Sequence, residues 1–333
     1  MWRSLALSKP TKNSHRFKPL DTLPADYTTI FRDSFFLPQK PVIFPRGHFR
    51  SIPAASRWFA ANDGVPGSPA RLNYAYLEEY SACHVPLELT KQVVASKEPG
   101  NAPAGQNRNH FHRFYAPLSL FLDWTRSMQP SESINSDENS NTGSIRLYLA
   151  QCQLLDLPLS LRNDLPTPSI VTTVGKGDIY DTNIWLGLAP TYTPLHRDPN
   201  PNLFVQLAGS KRVRLLPPER GLRTFAKVRD TLGKDGGRHN AAYRGEEMMQ
   251  GPEMELLDQE VWGDNPTGEE AGSSGLSREE HKRMEGLEEN EKEEDGYDVI
   301  LNAGDGLFIP LGWWHSIKGV GEGITGSVNW WFR

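Results

Sequence analysis

"TPLHRDPNPNLFVQLAGSKRVRLLPP" runs from Thr193 to Pro218 and decides how the second half of the chain is read. It places His196 and Asp198 one residue apart. It then gives two β-forming runs, "NLFVQLAG" and "KRVRLLPP", separated by Gly209 and Ser210, with Lys211 opening the second. Residues i and i+2 on an extended chain point to the same side. His196 and Asp198 can therefore address one point in space. About one H-x-[DE] pair is expected by chance in a chain with this many histidines and acids, so the pair needs context. The bland alternative is a polar turn in which Asp198 caps "PNPN" and His196 is a half-buried core histidine.

Outward from this stretch the pattern is uniform. "SIRLYLAQC", "DIYDTNIWLGLA", "YDVILNAG", "GLFIPLG" and "ITGSVNWWFR" are short runs rich in β-formers, punctuated by Gly, Pro and Asn. That is the signal of a β-sandwich or barrel. "DGLFIPLGWWHSI" brings His315 to the end of another run, after the Gly-Asp-Gly turn of "NAGDGLFIP". Two histidines and one carboxylate on one face of an ion form the facial triad of non-haem Fe(II) oxygenases, with three coordination positions left open. A chelating 2-oxoacid fills two of those positions and O2 the third. The far carboxylate of the 2-oxoacid then needs a buried cation. Lys211 is suitably placed if "KRVRLLPP" returns antiparallel beside "NLFVQLAG" and the lysine points across the barrel.

The order H-x-D, N-x-F-x-Q-x-x-G-x-K, G-D-x-x-x-I-P-x-x-W-W-H and V-N-W-W resembles the JmjC, or cupin-like, 2-oxoglutarate oxygenases over roughly residues 145–333. The nearest likeness is to the hydroxylase branch typified by the asparaginyl hydroxylase of hypoxia-inducible factor. The resemblance implies a double-stranded β-helix, a jelly roll of eight strands with helices packed around it. It implies Fe(II), 2-oxoglutarate and O2 as cofactors and co-substrates. His196, Asp198 and His315 resemble the iron ligands, and Lys211 resembles the lysine on the 2-oxoglutarate C5 carboxylate. Tyr148, in "RLYLAQ", resembles a tyrosine that also reaches the co-substrate. Thr193, Asn202 and Asn329 resemble polar residues around iron and co-substrate, and Trp331 falls at a pocket aromatic. Asn183 and Trp185 lie on an alternating strand leading to His196 and are expected to face the pocket. Trp313 and Trp314 are expected to pack, and His110 and His112, in a polar loop, not to bind metal.

The implied function is hydroxylation of a protein side chain with release of succinate and CO2. Alternatives are demethylation of N-methyl-lysine or arginine, as on histones, hydroxylation of a tRNA base, and a metal-binding cupin scaffold without turnover. The chain carries a net charge of −5. Asp264–Asp295 holds 12 acids against 4 bases, a net of −8, which leaves +3 for the remainder. That weak balance does not support nucleic-acid binding. No apolar run is long enough for a membrane span.

Two regions are expected. Residues 1–140 are a helix-and-strand region packing on the core. Residues 141–333 are the cupin core, with an acidic, partly disordered insertion at about 219–297. Helices are expected within Tyr27–Phe49, near Ala54 and from Leu118, and a strand at Pro41–Phe44. "ARLNYAYLEEY" suits either helix or strand, and residues 97–109 read as a loop. The two cysteines, Cys83 and Cys152, lack metal or redox spacing and suit an intracellular protein of cytoplasm or nucleus. The first 20 residues contain no acid and five Lys/Arg, as a mitochondrial presequence would, but Pro10 interrupts any helix and favours a flexible basic N-terminus. Members of the resembled family often dimerise, so a homodimer is a further expectation.

Overall fold

The computed structural model describes residues 17–60, 68–93, 108–128, 145–233, 246–263 and 296–333. The N-terminal targeting question, the polar linker before residue 145 and the acidic block lie outside the described residues. Thirteen strands are described: β1 (Phe17–Lys18), β2 (Val42–Ile43), β3 (His84–Val93), β4 (Arg108–Pro117), β5 (Ile145–Gln153), β6 (Ile179–Leu188), β7 (Tyr192–Arg197), β8 (Asn202–Ala208), β9 (Ser210–Leu216), β10 (Gly296–Asn302), β11 (Gly306–Ile309), β12 (Trp314–Val320) and β13 (Ile324–Phe332). They form two sheets. The smaller has the order β1-β10-β9-β12-β7, the larger β2-β11-β8-β13-β6-β5-β3-β4. Strands β6 to β13 pass between the two sheets in the jelly-roll manner. Apart from the parallel β1–β10 pair, the ladders are antiparallel. The fold is the mostly-β cupin core with flanking helices that the motif order implies.

Sequence pattern explains which strands go where. All seven residues of β8, "NLFVQLA", are buried. A strand between two neighbours and covered on both faces reads as a continuous apolar run. Strand β9 instead alternates, with Lys211, Val213 and Leu215 buried and Ser210, Arg212 and Arg214 outward. Outside, Arg212 and Arg214 clamp Asp298 of β10 at 2.7–2.9 Å. Inside, Val213 and Leu215 join Phe204, Val299, Leu301, Leu307 and Ile309 in a cluster that fills the space between the sheets. Lys211 shares this inward face, so strand parity alone carries it into the barrel.

One expectation is corrected here. Strand β9 does not return beside β8. β8 pairs with β11 and β13, whereas β9 pairs with β10 and β12 in the opposite sheet. Gly209 makes the crossing. Its φ is +64°, and a Cβ there would sit 2.4 Å from the Ile324 carbonyl oxygen. A left-handed backbone pressed against a neighbouring strand takes glycine. The lysine points across the barrel because its strand lies on the far wall.

A second correction concerns the first half of the chain. Residues 108 and 109 already belong to β4, and His110 and His112 lie on that strand rather than in a loop. β3 and β4 extend the large sheet through β5, and β2 pairs with β11. The helix from Leu118 spans Leu118–Ser127. The ambiguous "NYAYLEEY" is a short helix, Tyr74–Leu77, with a 3-10 turn to Tyr80. Asn73 caps it, accepting from the Tyr76 N–H. Helices Pro218–Thr231 and Pro252–Trp262 cover the outside of the small sheet, packing Phe225, Val228, Leu257 and Val261 on Leu195, Leu216 and Trp314. Among the described residues no helix is long and apolar enough to cross a membrane.

Candidate active site

The metal-ligand candidates converge. β7 and β12 are antiparallel neighbours, and their register pairs His196 with His315. The two imidazole centroids are 4.2 Å apart. Asp198 follows β7 directly. Its Oδ1 lies 3.9 Å from His196 Nε2 and its Oδ2 3.6 Å from His315 Nε2. One ligand atom from each residue falls within 4.8 Å of the others.

Each imidazole is oriented from behind. His196 Nδ1 lies 2.8 Å from the Pro194 carbonyl oxygen, and His315 Nδ1 lies 3.3 Å from that of Trp313. A proton on Nδ1, donated to that carbonyl, leaves Nε2 as the lone pair for a metal. Burial, then the neighbouring His196, push the His315 pKa down to about 4. His315 is therefore neutral at ordinary pH, as a metal ligand must be. Asn202, the first residue of β8, donates to Asp198 Oδ2 at 2.7 Å and fixes the carboxylate plane. Trp314, between the turn and His315, is fully buried against Phe225. Trp313 packs on Tyr297 and donates its indole N–H to the Gln39 carbonyl. Both tryptophans pack, as expected.

The triad opens onto a cavity of about 450 Å³. Tyr148, Trp185, Thr193, Asn202, Lys211, Asn329 and Trp331 all line it. Asn183 does not. It pairs in register with Asn329 and is fully buried, outside the cavity wall. Trp185 donates its indole N–H to Asn329 Oδ1 at 2.9 Å, holding that amide in place.

Lys211 dominates the electrostatics of the far end. It is 2% exposed, and among the described residues no carboxylate pairs with it. Its Nζ donates to Ser327 Oγ at 2.7 Å and to Tyr148 OH at 3.3 Å. The Phe204 ring centroid is 5.3 Å away. Burial alone pushes the lysine down to about 7; burial, then the nearby Glu88 carboxylate, hold the Tyr148 phenol above its ordinary value. A buried cation held only by neutral hydroxyls and ring faces is a site built for an anion.

The sequence reading missed Ser327, although it sits two residues before Asn329 on the same inward face of β13. It also missed Glu88 and Arg113, cross-strand partners on β3 and β4 that line the cavity. Gln151 lines it too. Its φ is +50°, rare for a non-glycine, and it sits where the β5–β6 register slips between Leu149 and Cys152. Met248 and Met249 complete the wall from a 3-10 turn, Glu246–Met249. None of these carries a motif signal.

A family profile described as a cupin-like domain matches residues 28–333, nearly the whole chain. The chain belongs to the cupin-like domain family. Among curated relatives of this cupin-like protein, Lysine-specific demethylase JMJ30 of Arabidopsis thaliana is 28% identical over 309 residues, covering 90% of this chain and 52% of that protein. Lysine-specific demethylase 8 of Xenopus tropicalis is 23% identical over 305 residues, covering 91% and 50%. Lysine-specific demethylase 8 of Danio rerio is 42% identical over a shorter stretch of 74 residues, 22% of this chain and 18% of that protein. The cupin-like chain thus spans about half the length of the long-matching relatives. These relatives are named as lysine-specific demethylases, and none is named as the asparaginyl hydroxylase that the motif order suggested.

Proposed function

We propose that this cupin-like protein is an Fe(II)- and 2-oxoglutarate-dependent oxygenase acting on a protein side chain. The observation that carries this reading is the unpaired, buried Lys211 on the wall of the same cavity as the His196–Asp198–His315 triad. A metal-binding scaffold has no use for that lysine, which costs stability unless an anion meets it.

The donor set fits the metal. Two neutral imidazoles and a carboxylate on one side suit iron(II) and leave the cavity side open. With iron and 2-oxoglutarate bound, the site supplies oxygenation: O2 converts the 2-oxoacid to succinate and CO2, and its second oxygen atom enters a substrate C–H bond. The chain's own residues position the reactants. Lys211, Ser327 and Tyr148 hold the C5 carboxylate by donated hydrogen bonds. Asn202 keeps Asp198 turned to the metal. Trp185, Asn329 and Trp331 form the wall on which a substrate side chain rests, and aromatic packing at that wall excludes water.

Two chemistries share this machinery. Hydroxylation at carbon leaves the oxygen in place. Oxygenation of an N-methyl group gives a hemiaminal that loses formaldehyde. The relatives' names favour demethylation of N-methyl-lysine over the hydroxylation that the motif order first suggested. Trp185 and Trp331 at the cavity wall suit a methylated ammonium. Mass spectrometry of proteins from cells with and without this chain decides between them. Enzyme-dependent loss of methyl groups from lysine supports demethylation. Enzyme-dependent gain of one oxygen atom supports hydroxylation. Neither change would remove the protein-oxygenase reading.

The lysine predicts a pH dependence. Lys211 is pushed down to about 7, so above pH 7 it is mostly neutral in the free protein. A bound carboxylate favours the ammonium and raises that pKa. Binding above pH 7 therefore takes up a proton, and Kd for 2-oxoglutarate should rise by up to about tenfold per pH unit. Below pH 7 the lysine is already charged, and Kd should be flat with respect to this group. Titrations at three pH values across this range, with Mn(II) in place of iron, measure the slope. A flat profile above pH 7 would mean that Lys211 does not meet the co-substrate.

A further inference from the structure

The wall opposite the jelly-roll strands comes from outside the motif-bearing segments. Met248 and Met249, in the turn Glu246–Met249, line the triad cavity and are half-buried. The turn packs against β7, which carries His196, and against β4, which carries Arg113. Next to it, Gln250 accepts the Phe111 N–H of β4 through its side-chain oxygen at 3.2 Å. This hydrogen bond ties the turn to the strand edge beside the cavity. Methionine is the most adaptable apolar side chain, suited to a surface that must fit a substrate stem. It is also readily oxidised, since a thioether takes up an oxygen atom without breaking a C–H bond.

We infer that Met248 and Met249 form the substrate-facing wall of the cavity, and that their thioethers take the oxygen when the site turns over without a substrate. This rests on the oxygenase reading above. The balance is simple. One 2-oxoglutarate, one O2 and one thioether give succinate, CO2 and one sulfoxide. One oxygen atom of O2 ends in the new succinate carboxylate and the other on sulfur. Decarboxylation and the sulfur lone pair each supply two electrons, which together reduce O2 fully. With a substrate in place, the same wall would contact the substrate's apolar stem and the sulfurs would be spared.

The chain supplies its own controls. Met128 is 51% exposed and lies at the end of the helix Leu118–Ser127. Met254 lines a different cavity, on the outer side of the small sheet with Tyr192 and Lys318. A diffusing oxidant would reach Met128 before the half-buried Met248 and Met249. The experiment incubates the full chain with Fe(II), 2-oxoglutarate and oxygen-18 gas, without added substrate, and follows succinate by NMR and the methionines by peptide mass spectrometry. The expected result is one oxygen-18 atom on Met248 or Met249, with Met128 and Met254 at background. In Met248→Leu combined with Met249→Leu, the label should disappear from this wall without moving to Met128 or Met254. Succinate with no label at Met248 and Met249, or with label mainly at Met128, overturns the inference while leaving the oxygenase reading intact. No succinate overturns the oxygenase reading and this inference with it.

Discussion

Asp198→Ala should reduce conversion of 2-oxoglutarate to succinate to the level of Fe(II) alone. Asp198 is the only carboxylate in the triad and bridges the two imidazoles, at 3.9 Å and 3.6 Å. Alanine leaves two neutral nitrogens and no negative charge to offset a divalent ion. Loss of groups that merely orient a ligand costs about 10–100-fold in metal affinity, and loss of a ligand costs more. The variant should also lose metal-induced stabilisation. Wild-type melting temperature should rise with Mn(II), because a ligand that binds only the folded state stabilises it by mass action. The variant's melting temperature should stay constant. Unchanged succinate formation by Asp198→Ala would show that the triad assignment is wrong.

Lys211→Met should move stability and co-substrate affinity in opposite directions. Below pH 7 the lysine of the free protein is a buried cation facing only hydroxyls and rings. Methionine has similar length and no charge to desolvate, so the variant without 2-oxoglutarate should melt higher. Removing one partner of a buried, charge-assisted pair typically costs about 2–5 kcal/mol, which weakens 2-oxoglutarate by roughly 30- to several-thousand-fold. Mn(II) stabilisation should survive, since Lys211 takes no part in the triad. A lysine kept only for structure would give the reverse, a lower melting temperature with unchanged co-substrate affinity. Thermal melts with and without each ligand separate the two outcomes.

Much of the site was legible because it lies on strands with a fixed parity. His196 and Asp198 point together because they are i and i+2. Tyr148, Trp185, Asn329 and Trp331 reach one cavity because each sits on the inward parity of its strand. The same logic overreached at Asn183, which has the right parity but does not line the cavity. It failed at the Gly209 crossing, where a two-residue glycine turn was read as a hairpin. Local sequence cannot distinguish a turn within one sheet from a step to the opposite sheet, because the partner strands β10 and β12 are more than 80 residues later in the chain. The strands β3 and β4, with Glu88 and Arg113, were hidden for a related reason. They flank the Gly- and Asn-rich stretch at 97–109, and their pairing with β5 is non-local. Met248 and Met249 have no periodic signature at all; only the packing of their turn on β4 and β7 brings them to the cavity.

The central claim is that His196, Asp198, His315 and Lys211 form one reaction centre for 2-oxoglutarate. The most direct measurement is succinate production by the purified full chain, followed by NMR with Fe(II), with Zn(II), and with the Asp198→Ala and Lys211→Met variants. The account predicts succinate with Fe(II) only, abolished in Asp198→Ala and recovered in Lys211→Met only at high 2-oxoglutarate. Equal succinate from wild type and Asp198→Ala, or none from wild type with Fe(II), would contradict it.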